Sequence, residues 1–476
     1  MSRRPISDSQ RNWLEQELAE WQSAGLVAPD QSAGILGLYE SAEEVGHRKR
    51  STFSFVILGL AAFLMGLALF LLIGHNWDAI PRATKLLLIF GAILGTHAAG
   101  LYLRFTRMAP RAAEILIFLG CLFYGAGIWL VAQVFHISAH YPDGMWWWAI
   151  GVIPFALCLD TILLHCLLVA LLGIWAGMEV IGFTDLGARL FWGWWSVPNG
   201  AYTLPLLAFP GLIWAYRKNS PLTVGLYAPL LAWWVILQAI AWDLEWQTIY
   251  IVACTGAMLL IIAECHREGS PLAVPIRFWG VLLAAGALIP LSYGDFHKEL
   301  VRDTWGYQES SLAWVAQLAP LLILIAVTLP VCMYFLSSRS GGRESAGGRL
   351  FTIIRRQWLP AALLAGMAAM SLWSSIMAHT GTPGDWETSW LVPTLVANAG
   401  MVGVSLWLMR VGLREDRGRP FTFGVLYFLL WSVLRYFDLF AQAGGMLGAA
   451  LMFLLCGAAL FGVGIFWRGR KEARHV

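Results

Sequence analysis

The sequence predicts an all-α polytopic integral membrane protein, a bundle of about fourteen transmembrane helices with a small amino-terminal cytosolic hairpin. Three observations predict it. Of 476 residues, 58% are apolar and 13% are charged, about half the charged share of a soluble domain. The mean hydropathy is +0.65. Apolar runs long enough to cross a hydrocarbon core of about 30 Å as helix follow one another from Phe53 almost to the end. The 26 Trp and 48 Gly agree, since Trp gathers at membrane interfaces and Gly is commoner in membrane helices than in soluble ones. A soluble globular fold is excluded, and a net charge of +3 is too balanced to imply nucleic acid or an acidic substrate.

Residues 1–46 are polar and read as a cytosolic helical hairpin. Trp13, Leu14, Leu18 and Trp21 recur at helical spacing behind the cap candidates Ser7 and Asp8. Gly25 can end that helix, and Pro29 and Asp30 can start a second one carrying Ile35, Leu36 and Tyr39. So small a piece cannot hold a core alone, so it should dock on the membrane part, on a second copy or on a protein partner. No secretory signal precedes the first apolar run, which is therefore expected to serve as an uncleaved insertion signal.

The fourteen runs lie near 53–74, 84–103, 112–135, 145–159, 161–181, 201–216, 221–241, 248–264, 275–293, 312–336, 358–378, 391–409, 421–440 and 445–467. The fourth is short and joined to the fifth by little beyond Asp160, which leaves open a tight hairpin or one irregular, re-entrant unit. Residues 337–357, rich in Gly, Ser and Arg, read as a flexible basic cytoplasmic loop. They divide spans one to ten (53–336) from spans eleven to fourteen (358–467), and 468–476 form a basic tail.

Cytoplasmic loops carry an excess of Lys and Arg, which tests this map. With the amino terminus inside, inner segments hold 26 of the 32 Lys and Arg, among them Arg104, Arg107, Arg217, Arg277, Arg349, Arg355, Arg356 and Arg414. Outer loops hold Arg82, Lys85, Arg189, Lys298 and Arg302. Both termini are thus expected in the cytoplasm. All seven Cys lie within helices or at their inner ends, so no disulfide framework is expected, and no Cys/His cluster has zinc spacing. Trp146–Trp148 and Trp192, Trp194 and Trp195 fall at outer boundaries, where a membrane belt is the commoner reading than a ligand cage.

A polar side chain inside a span is costly, which makes each one a functional candidate. Arg435 and Asp438 stand at i and i+3 on the thirteenth run. They read as a structural ion pair near the outer interface or, more sharply, as a pair that couples to a substrate or proton. Gln133, His136, His140 and Asp143 end the third run. A helix continued through them would align the last three for a metal, yet Tyr141-Pro142-Asp143-Gly144 is turn chemistry. Helix capping with interface anchoring, a polar lining and metal binding stay open there, and no metal is assigned. His75, Asn76, Trp77 and Asp78 lead to Pro81 and Arg82 between the first two runs, either as a structural turn or as a binding loop. Facing one compartment, the loop with His75 and Asp78 and the segment with Gln133 and His136 could share an outward-facing site. Deeper polar residues are His97, Glu114, His165, Glu179, Gln238, Glu264 and Asn398, which draw no continuous relay. There is no Walker phosphate loop, no HExxH and no GxSxG, so enzyme is the class without a motif behind it, and no cofactor is implied.

Three passages together resemble a known family. They are Trp21-x-x-x-Gly25-Leu-Val-x-x-Asp30-Gln31, then His75-Asn76-Trp77-Asp78-x-x-Pro81-Arg82 with His97-x-x-Gly100-Leu-Tyr, then Gln133-Val-Phe-His136-Ile-Ser with Pro142-Asp143-Gly144 and Trp148-Ala149. This resembles the bacterial predicted membrane proteins called domain of unknown function family 2157, over roughly residues 10–180. The resemblance implies a bacterial inner-membrane location and carries over no catalytic or binding residue. The expectation is a transporter or lipid-handling protein in contact with the bilayer, or else a scaffold or accessory subunit that recruits a partner through the hairpin.

Overall fold

The computed structural model describes residues 8–41, 43–44, 81–137, 141–159, 161–182, 199–242, 247–266, 269–304, 346–356, 358–380, 390–415 and 418–442, with isolated positions within 57–64, at 332 and within 454–458. The runs expected near 53–74, 312–336 and 445–467, the loop with His75 and Asp78, and the tail 468–476 lie outside the described residues. What is described is all-α. Contacts divide the chain into two units, Met1–Ala139 and His140–Val476.

The first unit holds α1 (Asp8–Ser23), α2 (Pro29–Gly37), α3 (Arg82–Phe105) and α4 (Pro110–Phe135). Gly25, at φ 69°, turns the chain after α1. The Gln31 side chain then accepts the Ala28 N–H at 3.1 Å to open α2. Leu18 is buried, while Trp13 and Leu26 remain 57% and 74% exposed. Helices α3 and α4 pack antiparallel through small residues: a Cβ on Gly100 would lie 2.6 Å from Ile117, and one on Gly120 would lie 2.6 Å from the His97 ring. Leu87 and Leu94 line the exposed face of α3.

The second unit holds α5 (Asp143–Cys158), α6 (Ile162–Val180), α7 (Leu204–Arg217), α8 (Pro221–Ala241), α9 (Thr248–Glu264), α10 (Ala273–Leu291), α11 (Gly294–Thr304), α12 (Ala346–Arg356), α13 (Trp358–Thr380), α14 (Leu391–Glu415) and α15 (Gly418–Gln442). α5 and α6 are distinct helices that pack together. α8 is the most enclosed of the long helices. On it, Tyr227 meets His165 of α6, Oη to Nδ1 at 2.9 Å, in space that Gly211 of α7 leaves open. α9 and α10 are the closest pair: a Cβ on Gly256 would lie 2.4 Å from the Ala284 backbone nitrogen and 2.8 Å from the Gly280 carbonyl. α14 and α15 also approach closely, at Gly424 and the Ser405 carbonyl.

Among the described residues, seven helices are long and apolar enough to cross a membrane: α3, α4, α6, α8, α10, α14 and α15. α5, α9 and the Trp358–Ser374 stretch of α13 are shorter apolar helices, and α7 has 14 residues. Each expected run that falls on described residues coincides with a helix, but spanning length is reached by seven, so the count of fourteen is not reproduced. Residues 346–356, expected as part of a flexible loop, form α12. Leu350, Ile353 and Ile354 recur there at helical spacing opposite Arg349, Arg355 and Arg356, an amphipathic pattern that the flanking glycines obscure in the sequence.

Candidate functional site

Of the residues singled out from the sequence, Gln133, His136 and Arg435 are described with their side chains. His75 and Asp78 lie outside the described residues. Gln133 and His136 belong to the first unit. α4 ends at Phe135, and His136 takes a left-handed conformation, φ 51° and ψ 42°, with its N–H directed to the Ala132 and Gln133 carbonyls. The helical continuation that would have aligned His136 with His140 and Asp143 is therefore absent, because a left-handed residue breaks the register. Asp143 instead opens α5, where a carboxylate complements the helix start. Gln133 and His136 both present exposed side chains. Among the described residues, no three His, Cys, Asp or Glu side chains gather to hold a metal.

Arg435 lies in the second unit and is buried on α15. Its Nη1 donates to the Ser292 carbonyl at 2.9 Å and Nη2 to the Ser292 hydroxyl at 3.3 Å. The guanidinium also stands 4.6 Å from the centre of the Tyr293 ring. Ser292 follows the last residue of α10, so the cation sits at that helix's carbonyl end, where positive charge is favoured. Asp438 lies on the same helix, but its side chain is outside the described residues. Asn398 of α14 donates to the same Ser292 carbonyl at 3.0 Å and accepts from Trp431 at 2.9 Å. Ser292 thus ties α10, α14 and α15 together.

Beside this junction lies a second cluster. His297 of α11 is buried, and its Nε2 donates to the Leu291 carbonyl at 2.8 Å. The Tyr250 hydroxyl of α9 lies 3.1 Å from His297 Nδ1 and 3.2 Å from the Ser374 hydroxyl of α13. Burial lowers the His297 pKa from its ordinary value against the opposing pull of the Leu291 carbonyl, which keeps the ring neutral near pH 7. In that form Nδ1 accepts from Tyr250, and Tyr250 accepts from Ser374. One turn to either side along the same α9–α13 interface, Gln247 and Ser371 are fully buried and their side-chain polar atoms have no hydrogen-bond partner. The Thr248 hydroxyl and the Trp373 indole N–H also lack a hydrogen-bond partner, but they stand on other faces of α9 and α13. An unpaired buried polar group costs about 1–3 kcal/mol, so Gln247 and Ser371, which share the helix faces of Tyr250 and Ser374, are costly to keep at this interface without a partner.

The opposite end of the unit is ionic. Arg277 of α10 donates through Nη2 to Glu264 at 2.9 Å and through Nη1 to Glu415 at 2.8 Å, with Arg414 3.6 Å from Glu415. Tyr216 of α7 meets His266 there at 2.9 Å, which places Arg217 and Lys218 at the same end. Other deep polar residues make structural bonds, although the Gln238 Oε1 is buried without a partner as well. Gln238 donates to the Gly200 carbonyl at 3.0 Å and the Trp234 carbonyl at 2.9 Å, Asn199 bonds Glu179, and His97 donates to the Ile93 carbonyl at 2.8 Å.

Sequence reasoning passed over Gln247, Tyr250, His297, Ser371 and Ser374. The one available signal was spacing, since Gln247 and Tyr250, and Ser371 and Ser374, each stand at i and i+3 and so share a helix face.

These features define a helical membrane protein with a polar cluster on its apolar helices. Over residues 19–165 the chain matches the family model described as predicted membrane protein, DUF2157, inside the stretch that carries the sequence resemblance. No curated protein and no solved structure matches the chain.

Proposed function

We propose that the protein is a transporter or lipid-handling protein of the bacterial inner membrane, and that the α9–α13 interface receives a hydrogen-bonding solute or lipid headgroup. The observation that carries the reading is the pair of buried, unpartnered polar side chains, Gln247 and Ser371, one turn along their helices from the Tyr250–Ser374 bond. On apolar helices such groups are retained where a ligand's own donors and acceptors complete them. Fourteen spans with both termini in the cytoplasm remain part of the proposal. Arg217, Lys218, Arg277 and Arg414 at one end of the second unit support that orientation under the positive-inside rule.

The hairpin supports a second reading, recruitment of a protein partner, because Trp13, Leu26 and Leu38 leave apolar surface exposed on a polar piece. One experiment separates the two. The full chain, the chain lacking residues 1–46 and the variant Gln247→Leu/Ser371→Ala are purified in mild detergent, and everything that co-elutes is identified by mass spectrometry. The expected result is a lipid or polar small molecule bound to the first two and lost from the double variant, with melting temperature held or raised. An identical complement in all three overturns the site. A stoichiometric protein lost with residues 1–46, and no small molecule, moves the assignment to the scaffold.

A further inference from the structure

The second unit carries one strongly amphipathic basic helix that the proposed site does not use. α12 places Leu350, Ile353 and Ile354 on one side, and the positions of Arg349, Arg355 and Arg356 on the other. Leu350, Ile353 and Ile354 are half-buried, whereas Phe351, between the two faces, is 67% exposed and the Arg355 side chain is exposed. One residue later α13 begins at Trp358, itself 58% exposed. The order is therefore a basic amphipathic helix, an exposed Trp, then an apolar helix.

We infer that α12 is an interfacial helix that docks on an anionic phospholipid surface. Three observations converge on lipid rather than on a soluble protein. Only Gln357 separates α12 from Trp358, so the chain itself holds α12 within reach of the plane where the apolar helix α13 starts. Trp at that junction favours the headgroup level. The basic face and the partly uncovered apolar face together fit a surface whose headgroups are negative and whose interior is apolar, and each Lys or Arg near such a surface adds about 1 kcal/mol of attraction. Anionic headgroups neutralise the three arginines while Phe351 enters the acyl boundary, anchoring the entrance to α13. The inference stands apart from the ligand site at the α9–α13 interface and survives its failure.

The test uses the full chain in nanodiscs made of phosphatidylcholine alone or with phosphatidylglycerol, with amide hydrogen exchange read over residues 346–356. Protection of these amides is expected to rise at least threefold with phosphatidylglycerol and to fall back in 0.5 M salt. The Arg349→Gln/Arg355→Gln/Arg356→Gln variant is expected to lose the dependence on lipid charge while α13 stays protected. Equal protection in the two lipid compositions would overturn the inference. So would full protection already in detergent, since a protein contact would then cover the face.

Discussion

Arg277→Ala is expected to destabilise the folded protein by about 3 kcal/mol, as partners of buried ion pairs do when left alone. The guanidinium bridges Glu264 and Glu415 from α10, and the Arg277 and Glu264 side chains are 19% and 10% exposed. Its removal leaves two carboxylates at one helix junction with only Arg414, 3.9 Å from Glu264 and 3.6 Å from Glu415, to balance them. The loss is read as a fall in melting temperature in detergent. Adding Glu264→Gln to Arg277→Ala is expected to restore part of it, because the second substitution removes one of the stranded charges. A single variant as stable as the parent would show that the cluster is solvated and contributes little.

Gly256→Ala is the second large effect. The added methyl would lie 2.4 Å from the Ala284 nitrogen and 2.8 Å from the Gly280 carbonyl, both backbone atoms of the facing helix, so no side chain can swing aside. α9 and α10 must separate, at a cost of about 2–3 kcal/mol. Gly286 lies on the same α10, and a methyl added there would meet nothing within 4 Å, so Gly286→Ala is expected to leave stability unchanged or slightly higher. The contrast between the two, measured as thermal unfolding in one detergent, isolates close helix approach from helix propensity. Equal effects would remove the α9–α10 contact from the account.

The helices were legible because long apolar runs have one stable form in a membrane, with every backbone group bonded within the segment. Their ends were less so. α14 runs to Glu415 rather than stopping near residue 409 because its charged last turn joins the ionic cluster through Arg414 and Glu415 and stays helical. The candidate site was legible only in part. Arg435 stood out as a charge in an apolar run, but its contact with Ser292 spans 143 residues of sequence. The Tyr250–Ser374 bond spans 124. Such pairs follow from which helices are neighbours, and a period along one helix does not encode its neighbours. At His136 the alternatives left open by the sequence narrow locally, because an i, i+4 alignment with His140 needs a helix that the backbone ends at Phe135. α12 was missed because glycines beside an arginine-rich stretch read as a linker when taken as composition rather than as a wheel.

On the function proposed above, the interface around Tyr250 and Ser374 admits a polar ligand although it lies among apolar helices. The most direct measurement replaces the seven native cysteines, introduces Ser371→Cys, and follows its reaction with a small water-soluble methanethiosulfonate in reconstituted membranes. Modification within minutes is expected, slowed at least tenfold when Gln247→Leu is added to make the site apolar. A thiol that stays unreacted in the membrane and reacts only after unfolding would contradict it, by showing a dry and closed interface.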